Sequence, residues 1–476
     1  MVVNDNAGQL NARVVPTFIA SKLAPTGVGG ARDVALRNDH SAVIGPAPRF
    51  SARAGYLAWL HSFLWSFVMN DMHAIPGDAA LAPAGSSSWR DWLSVFSVAL
   101  GAFAFVTTEY LPVGVLPQIA NTLGISDGEA GLMVTVPGIV AAVAAPAIML
   151  GAGRMNRRQL LLLLTLLQVA ANLVSAVAPS LAIMLVGRAL LGVALGGFWA
   201  VAIAVAGRLV SESKAAKATA LIFAGITLAT VFGVPFGTLL GDLFSWRVSF
   251  AVTAGLAVLA LIAQGLTLPS LPSRDGLQVR ALLSFLARSN ARRSMLLLAL
   301  VVAAHFSAYT YIAPFLSREA GFSGSAITSI LLGFGLVGML ANFAMARGVA
   351  RHLRLSLGAV IVLMVIAQLA LPQLRGSSAA VALAVLAWGV AYGAIPLGVS
   401  TWMQLTSPQL PEASSAMLVT MFQVAIASGS LVGGLMVDHQ GVPSALWLGA
   451  GIGLLGLALM LSFGLGKAPI AETLQR

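Results

Sequence analysis

The chain has 476 residues, of which 58% are hydrophobic and 9% charged, with 27 Lys and Arg against 16 Asp and Glu and no cysteine. A soluble domain carries about 25% charged residues, so this balance excludes a water-bathed globule and indicates an all-α polytopic membrane protein, with room for about twelve spans of roughly 20 residues. Lack of cysteine excludes disulfides, thiolate metal sites and a thiol nucleophile, and the surplus positive charge lies in short loops, where it orients a membrane protein and builds no nucleic-acid groove.

Residues 1–90 hold Pro16, Pro25, Pro46, Pro48, Pro76 and Pro83 among scattered Gly and Ser, with no sustained hydrophobic period. They are expected to be a disordered extension. The apolar run Gly55–Met69 is short for a span, and the natural start is expected at Met72, which leaves a short lead into Trp89. A first bundle of six helices, within residues 91–268, is predicted at 92–118, 128–150, 158–178, 181–206, 218–242 and 247–268. Pro269, Pro272 and a run of arginines mark a central loop at 269–293. A second bundle, within 294–467, follows at 294–316, 325–347, 354–373, 379–404, 413–437 and 443–466, with a tail at 468–476.

In the first helix Glu109 stands within Thr107-Thr108-Glu109-Tyr110-Leu111-Pro112. A carboxylate at membrane depth is costly and marks a cavity or proton relay by default; a structural Glu satisfied by Thr107 and Thr108 is the alternative. Arg154, Arg157 and Arg158 follow the second helix as a basic cluster. Arg188, early in the fourth helix, is the second buried charge. Counting 1.5 Å per residue puts Glu109 about 13 Å and Arg188 about 11 Å below the same surface, so the two meet if their helices are neighbours. Arg188 then either pairs with Glu109 or braces helices through backbone carbonyls.

Trp199 in the fourth helix, His305, Tyr309 and Tyr311 in the seventh, and Tyr392 and Trp402 in the tenth are candidates for a substrate cavity, where rings suit planar or sugar-like solutes; lipid-side packing is the alternative for the aromatics and a structural role for His305. Gly192 and Gly196 in the fourth helix, and Gly233, Pro235, Gly237 and Gly241 in the fifth, are spaced for close helix approach, with the proline permitting a bend. They serve tight packing or a hinge or seal between halves that rock. Asp242 and Asp438 close the fifth and eleventh helices and read as solvated. No metal or cofactor site is expected.

The two bundles repeat at a spacing of 197 residues. Pro117 returns as Pro314, Gly124 and Ser126 as Gly321 and Ser323, Gly151, Arg154 and Arg157 as Gly348, Arg351 and Arg354, and Gly192 and Gly196 as Gly389 and Gly393. Such duplication in an apolar chain is the mark of a pseudo-symmetric transporter with its path between the halves. The loops after the second, fourth, sixth and eighth helices carry most of the Lys and Arg, whereas the opposite loops carry Arg247, Arg318 and Arg375. Both termini are therefore expected in the cytoplasm.

Glu109-Tyr-Leu-Pro-Val-Gly-Val-Leu-Pro117, Gly187-Arg188-Ala-Leu-Leu-Gly192-Val-Ala-Leu-Gly196-Gly197-Phe-Trp199 and the glycine–proline run 233–241 resemble the major facilitator superfamily, specifically its twelve-helix drug:proton antiporter branch. Thr310-Tyr311-Ile-Ala-Pro314 and Pro396-Leu-Gly398-Val-Ser-Thr401-Trp402 are similar to the purine-ribonucleoside efflux pumps of that branch, and the first-helix stretch also to its arabinose-type sugar exporters. The resemblance covers about residues 89–467. It implies that helices one, four, seven and ten line a central cavity holding Glu109, Arg188, His305 and Tyr392. The loop after the second helix departs from the pattern, since Gly153 stands where the family has an Asp.

The sequence thus leads to a secondary active transporter, not an enzyme, exporting a nucleoside, sugar or drug by proton antiport and alternating access, with resistance to toxic solutes as a consequence. It belongs in a bacterial cytoplasmic membrane, its partners being solute, protons and lipid, and a monomer suffices. A proton-independent facilitator or importer is the rival within transport. A membrane transferase would need clustered acids for metal–phosphate binding, whereas Asp127 and Glu129 are an isolated pair and Glu212 and Glu412 stand alone.

Overall fold

The apolar runs become helices whose ends are set by short polar residues and glycine. Ser88 Oγ accepts from the Asp91 N–H at 3.3 Å while the Asp91 carboxylate accepts from the Ser88 N–H at 2.7 Å, a reciprocal cap that satisfies two orphan donors. Ser126 and Glu129 repeat it at the second helix, and Ser323 caps the equivalent helix of the second bundle. Gly124 and Gly321 precede these caps at φ of 66° and 69°, a left-handed conformation that glycine alone adopts without strain.

A computed structural model describes residues 87–152, 155–272, 279–406 and 411–463. In chain order these form α1 (Trp89–Leu123), α2 (Asp127–Gly151), α3 (Arg157–Ala176), α4 (Leu181–Ala206), α5 (Ala215–Leu243) and α6 (Trp246–Thr267). A short helix, Val279–Ala287, leads to α7 (Ser289–Tyr309), α8 (Gly324–Val349), α9 (His352–Gln373), α10 (Ser378–Thr406), α11 (Pro411–Gln440) and α12 (Pro443–Ser462). All twelve are long and apolar enough to cross a membrane, and no strand occurs among the described residues. The expected disorder ahead of residue 87, the Gly55–Met69 run, the Met72 start and Arg154 lie outside the described residues.

Two details differ from the predicted elements. The seventh helix was expected unbroken to residue 316, but it stops at Tyr309, reforms at Ile312–Pro314 and closes with a π turn at Phe315–Glu319. Pro314 has no N–H to give and its ring crowds the carbonyl four residues back. Between α8 and α9 the chain bends sharply at His352, with φ −146° and ψ 65°, so the two run almost continuously.

The 197-residue repeat is a repeat of packing. Within the first half α1 packs on α5 and α2 on α4; within the second, α7 packs on α11 and α8 on α10. The halves meet along α2–α11 and α5–α8. Gly138 and Gly335, 197 apart, lie on these two seams: a Cβ on Gly138 would come within 2.9 Å of the Gln423 carbonyl, and one on Gly335 within 2.6 Å of Val231 Cα. Side chains there would push the halves apart. Twelve transmembrane helices in two pseudo-symmetric bundles are the architecture expected from the sequence.

Candidate functional site

Glu109 lies midway along α1 and is 4% exposed. Its Oε1 accepts from Gln423 Nε2 of α11, in the opposite half, at 3.1 Å. Arg188 of α4 is 1% exposed and sits beside it, as the depth count requires. No ion pair forms between the two side chains. Arg188 Nε donates to the Met133 carbonyl at 2.6 Å, Nη1 to that of Thr108 at 2.9 Å and Nη2 to the main-chain carbonyl of Glu109 at 2.9 Å. Pairing gives way to bracing, because each of the three guanidinium nitrogens is turned to a carbonyl on α1 or α2. Beneath it Thr108 Oγ1 accepts from Gln168 and Asn172 of α3 at 3.3 and 3.1 Å, and Thr253 of α6 donates to Asn172 at 3.2 Å. The alternative, a Glu109 satisfied by the Thr107 and Thr108 hydroxyls, is not what forms; Thr108 Oγ1 serves α3 and donates to Ala104, and Thr107 Oγ1 has no partner.

The second half meets this polar cluster with rings. His305 is fully buried and both its nitrogens lack partners. It stacks on Tyr392 with centroids 3.3 Å apart and planes 5° apart, and on Tyr309 at 4.7 Å. Trp388 meets it edge-on at 5.4 Å and Phe334 lies 6.2 Å away. Tyr110 of α1 stacks on Phe306 at 5.6 Å, which joins the two groups across the halves.

Other predicted residues lie elsewhere. Trp199 packs edge-on against Phe198 in the core of the first half. Tyr311 is 1% exposed and donates to the Ser430 carbonyl at 2.8 Å, so it seals the α2–α11 seam rather than lining a cavity. Trp402 packs on Phe463 of the segment after α12, with Arg293 over the far ring. Gly192 and Gly196 admit the Pro137 and Ala141 carbonyls of α2. Gly233, Gly237 and Gly241 face Thr107, Leu111 and Val115 of α1, so this run with Pro235 packs inside one half and does not seal the two together. Arg158 donates to the Gly265 carbonyl at 2.7 Å, tying α3 to α6, and Arg157 heads α3 with its main-chain N–H on Leu271.

The end bearing the α1–α2 and α7–α8 loops is latched across the halves. Asp438 accepts from Ser126 Oγ and the Gly128 N–H, both at 2.9 Å, and Asp242 accepts from Gln118 at 2.9 Å with its carboxylate against Gly324. Both acids are exposed, as their places at the helix ends predict, and each also sits on the N-terminus of a helix from the other half, where a negative charge is favoured. Asp127 and Arg318 form an ion pair, and Ser430 Oγ donates to the Gly131 carbonyl at 3.1 Å. An apolar cleft of about 700 Å³ opens at the side between α1, α5, α6 and α8. Of the predicted site residues, Gly233 and Pro235 line it, and none of the cavity candidates does.

Reading charged and aromatic residues alone misses Gln423, Asn172, Trp388 and Phe334. For the two amides the signal is present: an amide within an apolar span needs a buried partner. For the rings nothing in the sequence separates them from lipid-facing aromatics.

Residues 98–418 match the family model of the Major Facilitator Superfamily. The chain is 34% identical over 393 residues to the transcription regulatory protein OpdE of Pseudomonas aeruginosa, covering 81% of this chain and 96% of that protein. It is 34% identical over 366 residues to the purine ribonucleoside efflux pump NepI of Salmonella paratyphi A, covering 77% and 92%. Among solved structures it resembles a bacterial homologue of the human lysosomal transporter Spinster in an inward-facing, occupied conformation, with TM-score 0.64 and 17% identity over 79% of this chain and 97% of that one.

Proposed function

Because the chain belongs to the major facilitator superfamily, we propose that this transporter exports small organic solutes by proton antiport, with purine ribonucleosides or related compounds as the first class to test. The observation that carries the reading is Glu109, a carboxylate 4% exposed at membrane depth that accepts from an amide of the other half and from no cation. Such a group is neutralised by a proton when its partners change, and a change of partners between halves is what alternating access supplies. With the outer end latched, Glu109 faces the inner side of the cycle. It takes a proton from outside while solute leaves, and releases it inside after the halves rock.

Arg188 holds the α1 backbone that presents Glu109, and the rings around His305 and Tyr392 meet the solute. Arg157 and Arg158, which fix the start of α3 against α6 and Leu271, are assigned with Arg154 to the inner gate of this cycle. The chain lies in the bacterial cytoplasmic membrane with both termini inside, and divides at 91–268 and 294–467 about a 269–293 connection that was expected as a loop but carries the helix Val279–Ala287 and the first turn of α7.

Glu109→Gln is expected to abolish gradient-driven efflux of a labelled purine ribonucleoside from everted vesicles while leaving solute exchange. Full efflux in that variant removes Glu109 from the mechanism, and efflux that ignores the proton gradient in the unmodified chain favours the facilitator. A regulatory role, after the name of the Pseudomonas relative, requires no efflux of any solute in a screen of nucleoside analogues, sugars and antibiotics.

A further inference from the structure

Gln423 brings one amide to two places at once. Its side chain, 5% exposed, donates through Nε2 to Glu109, while its main-chain carbonyl lies against Gly138 on the α2–α11 seam. The other end of the amide, Oε1, is buried with no partner. A primary amide holds both a donor and an acceptor; a carboxylate only accepts, and a carboxylic acid also donates. The last torsion of a glutamine is soft and roughly two-fold. The same side chain therefore serves the ionised Glu109 through Nε2 and the protonated one through Oε1. The first bond has a charged acceptor and is about twice as strong as the second.

We propose that Gln423 is the positioning residue that makes docking of α11 on α2 depend on the charge of Glu109. With Glu109 ionised the amide clamps the seam; with Glu109 protonated the clamp weakens and the outer side opens more readily. Within the antiport reading, on which this rests, loss of the proton inside locks the outer side until solute takes the place of Gln423. The other titratable or charged groups around Glu109 are Arg188 of α4, Tyr110 of α1 and Tyr392 of α10, with His305 and Tyr309 of α7 behind Tyr392.

The test uses the purified full chain without any solute. The carbonyl stretch of protonated Glu109, identified by its loss in Glu109→Gln, is followed by infrared spectroscopy as pH is varied. Gln423→Leu removes a donor to the charged form, so the midpoint is expected to move alkaline by about one pH unit, a tenfold change in proton affinity. Gln423→Asn, too short to reach, should behave like Gln423→Leu while keeping an amide in place. Gln423→Glu sets two carboxyls on one site and should move the midpoint further.

The chain has no cysteine, so Ala427→Cys, on the same seam and 2% exposed, reports opening without background. With the full chain in the membrane of intact cells, its labelling from outside by an impermeant maleimide is expected to rise severalfold in Gln423→Leu. An unmoved midpoint, or a moved midpoint with unchanged labelling, overturns the assignment. Should both readouts respond while efflux ignores the proton gradient, it is proton antiport that falls and the clamp that stands.

Discussion

The middle of α1 and the middle of α7 descend from one repeated pattern and now do opposite things. Thr108 and His305 are 197 apart, as are Glu109 and Phe306, Arg188 and Val385, Leu191 and Trp388, and Leu195 and Tyr392. In the first half the position of Thr108 is a hub of hydrogen bonds joining α1 to α3 and, through Asn172, to α6, with Arg188 gripping the α1 backbone above it. In the second half the same position holds an imidazole with no hydrogen bond at all, held by Tyr309, Trp388 and Tyr392. The backbone arrangement was kept while the chemistry divided: one half fixes charge, the other offers ring faces. Under the alternating access proposed above, two halves that part and meet again have reason to keep the buried charges on one side, where separating the bundles does not separate a cation from the carbonyls that satisfy it.

That contrast breaks most visibly at Arg188. Arg188→Met leaves the Met133 and Thr108 carbonyls, whose helical donors Pro137 and Pro112 remove, buried without donors, at about 1–3 kcal/mol each, while the Glu109 carbonyl keeps Val113 of its own helix. A large fall in the melting temperature of the detergent-purified protein is expected. Arg188→Lys tells the two roles of the cation apart. If charge near Glu109 is what matters, Lys restores stability; if bracing matters, a single ammonium cannot span three carbonyls on two helices and the variant melts close to Arg188→Met. The second outcome is expected.

Asn172 and His305 sharpen the same comparison at lower energy. Asn172→Leu strips Thr108 and Thr253 of a shared partner and should cost about 1–2 kcal/mol. His305→Phe replaces two unsatisfied nitrogens by a ring in a cluster of rings, so stability should hold or rise slightly. Any loss of solute efflux in that variant then belongs to recognition. A destabilised His305→Phe would mean that the imidazole has partners in the membrane that hold it in place.

The fold was legible because every device that builds it is local or periodic. Ser126 and Gly124 announce the start of α2 as Ser323 and Gly321 announce α8, and apolar runs of the right length leave helices as the only backbone that satisfies itself in lipid. The depth of Glu109 and Arg188 was legible by the same counting. Their relation was not. Whether a guanidinium turns to a carboxylate or to three carbonyls depends on where Met133 of α2 places its backbone; Pro137 and Pro112 free the Met133 and Thr108 carbonyls, but no residue type says that Arg188 is the donor that reaches them. Gln423 was missed for a related reason: 314 residues separate it from Glu109, and an amide among apolar neighbours carries no period. The glycine run of α5 was read as a possible seal because spacing gives the presence of a smooth face without saying which neighbour it meets.

At the end bearing the α1–α2 and α7–α8 loops the halves have stayed alike, and the smallest expected effect tests that likeness. Asp242 ends α5 against the start of α8, and Asp438 ends α11 against the start of α2, so each half lends a carboxylate to a helix N-terminus of the other. Both acids are exposed, where a charge at a helix end contributes about 0.3–1 kcal/mol. Asp242→Asn and Asp438→Asn should therefore each raise outside labelling of Ala427→Cys by about 2- to 5-fold, with salt reducing the difference from the unsubstituted pair. Asp438 accepts from both Ser126 and Gly128, whereas Asp242 accepts from Gln118 of its own half, so the Asp438 variant should show the larger rise. Equal effects would mean that charge at the helix end, rather than the individual bonds, holds the outer side shut. An effect confined to Asp438 would mean that the α2–α11 seam alone is the latch, and that the two seams, alike in backbone, have diverged in use as the two midpoints have.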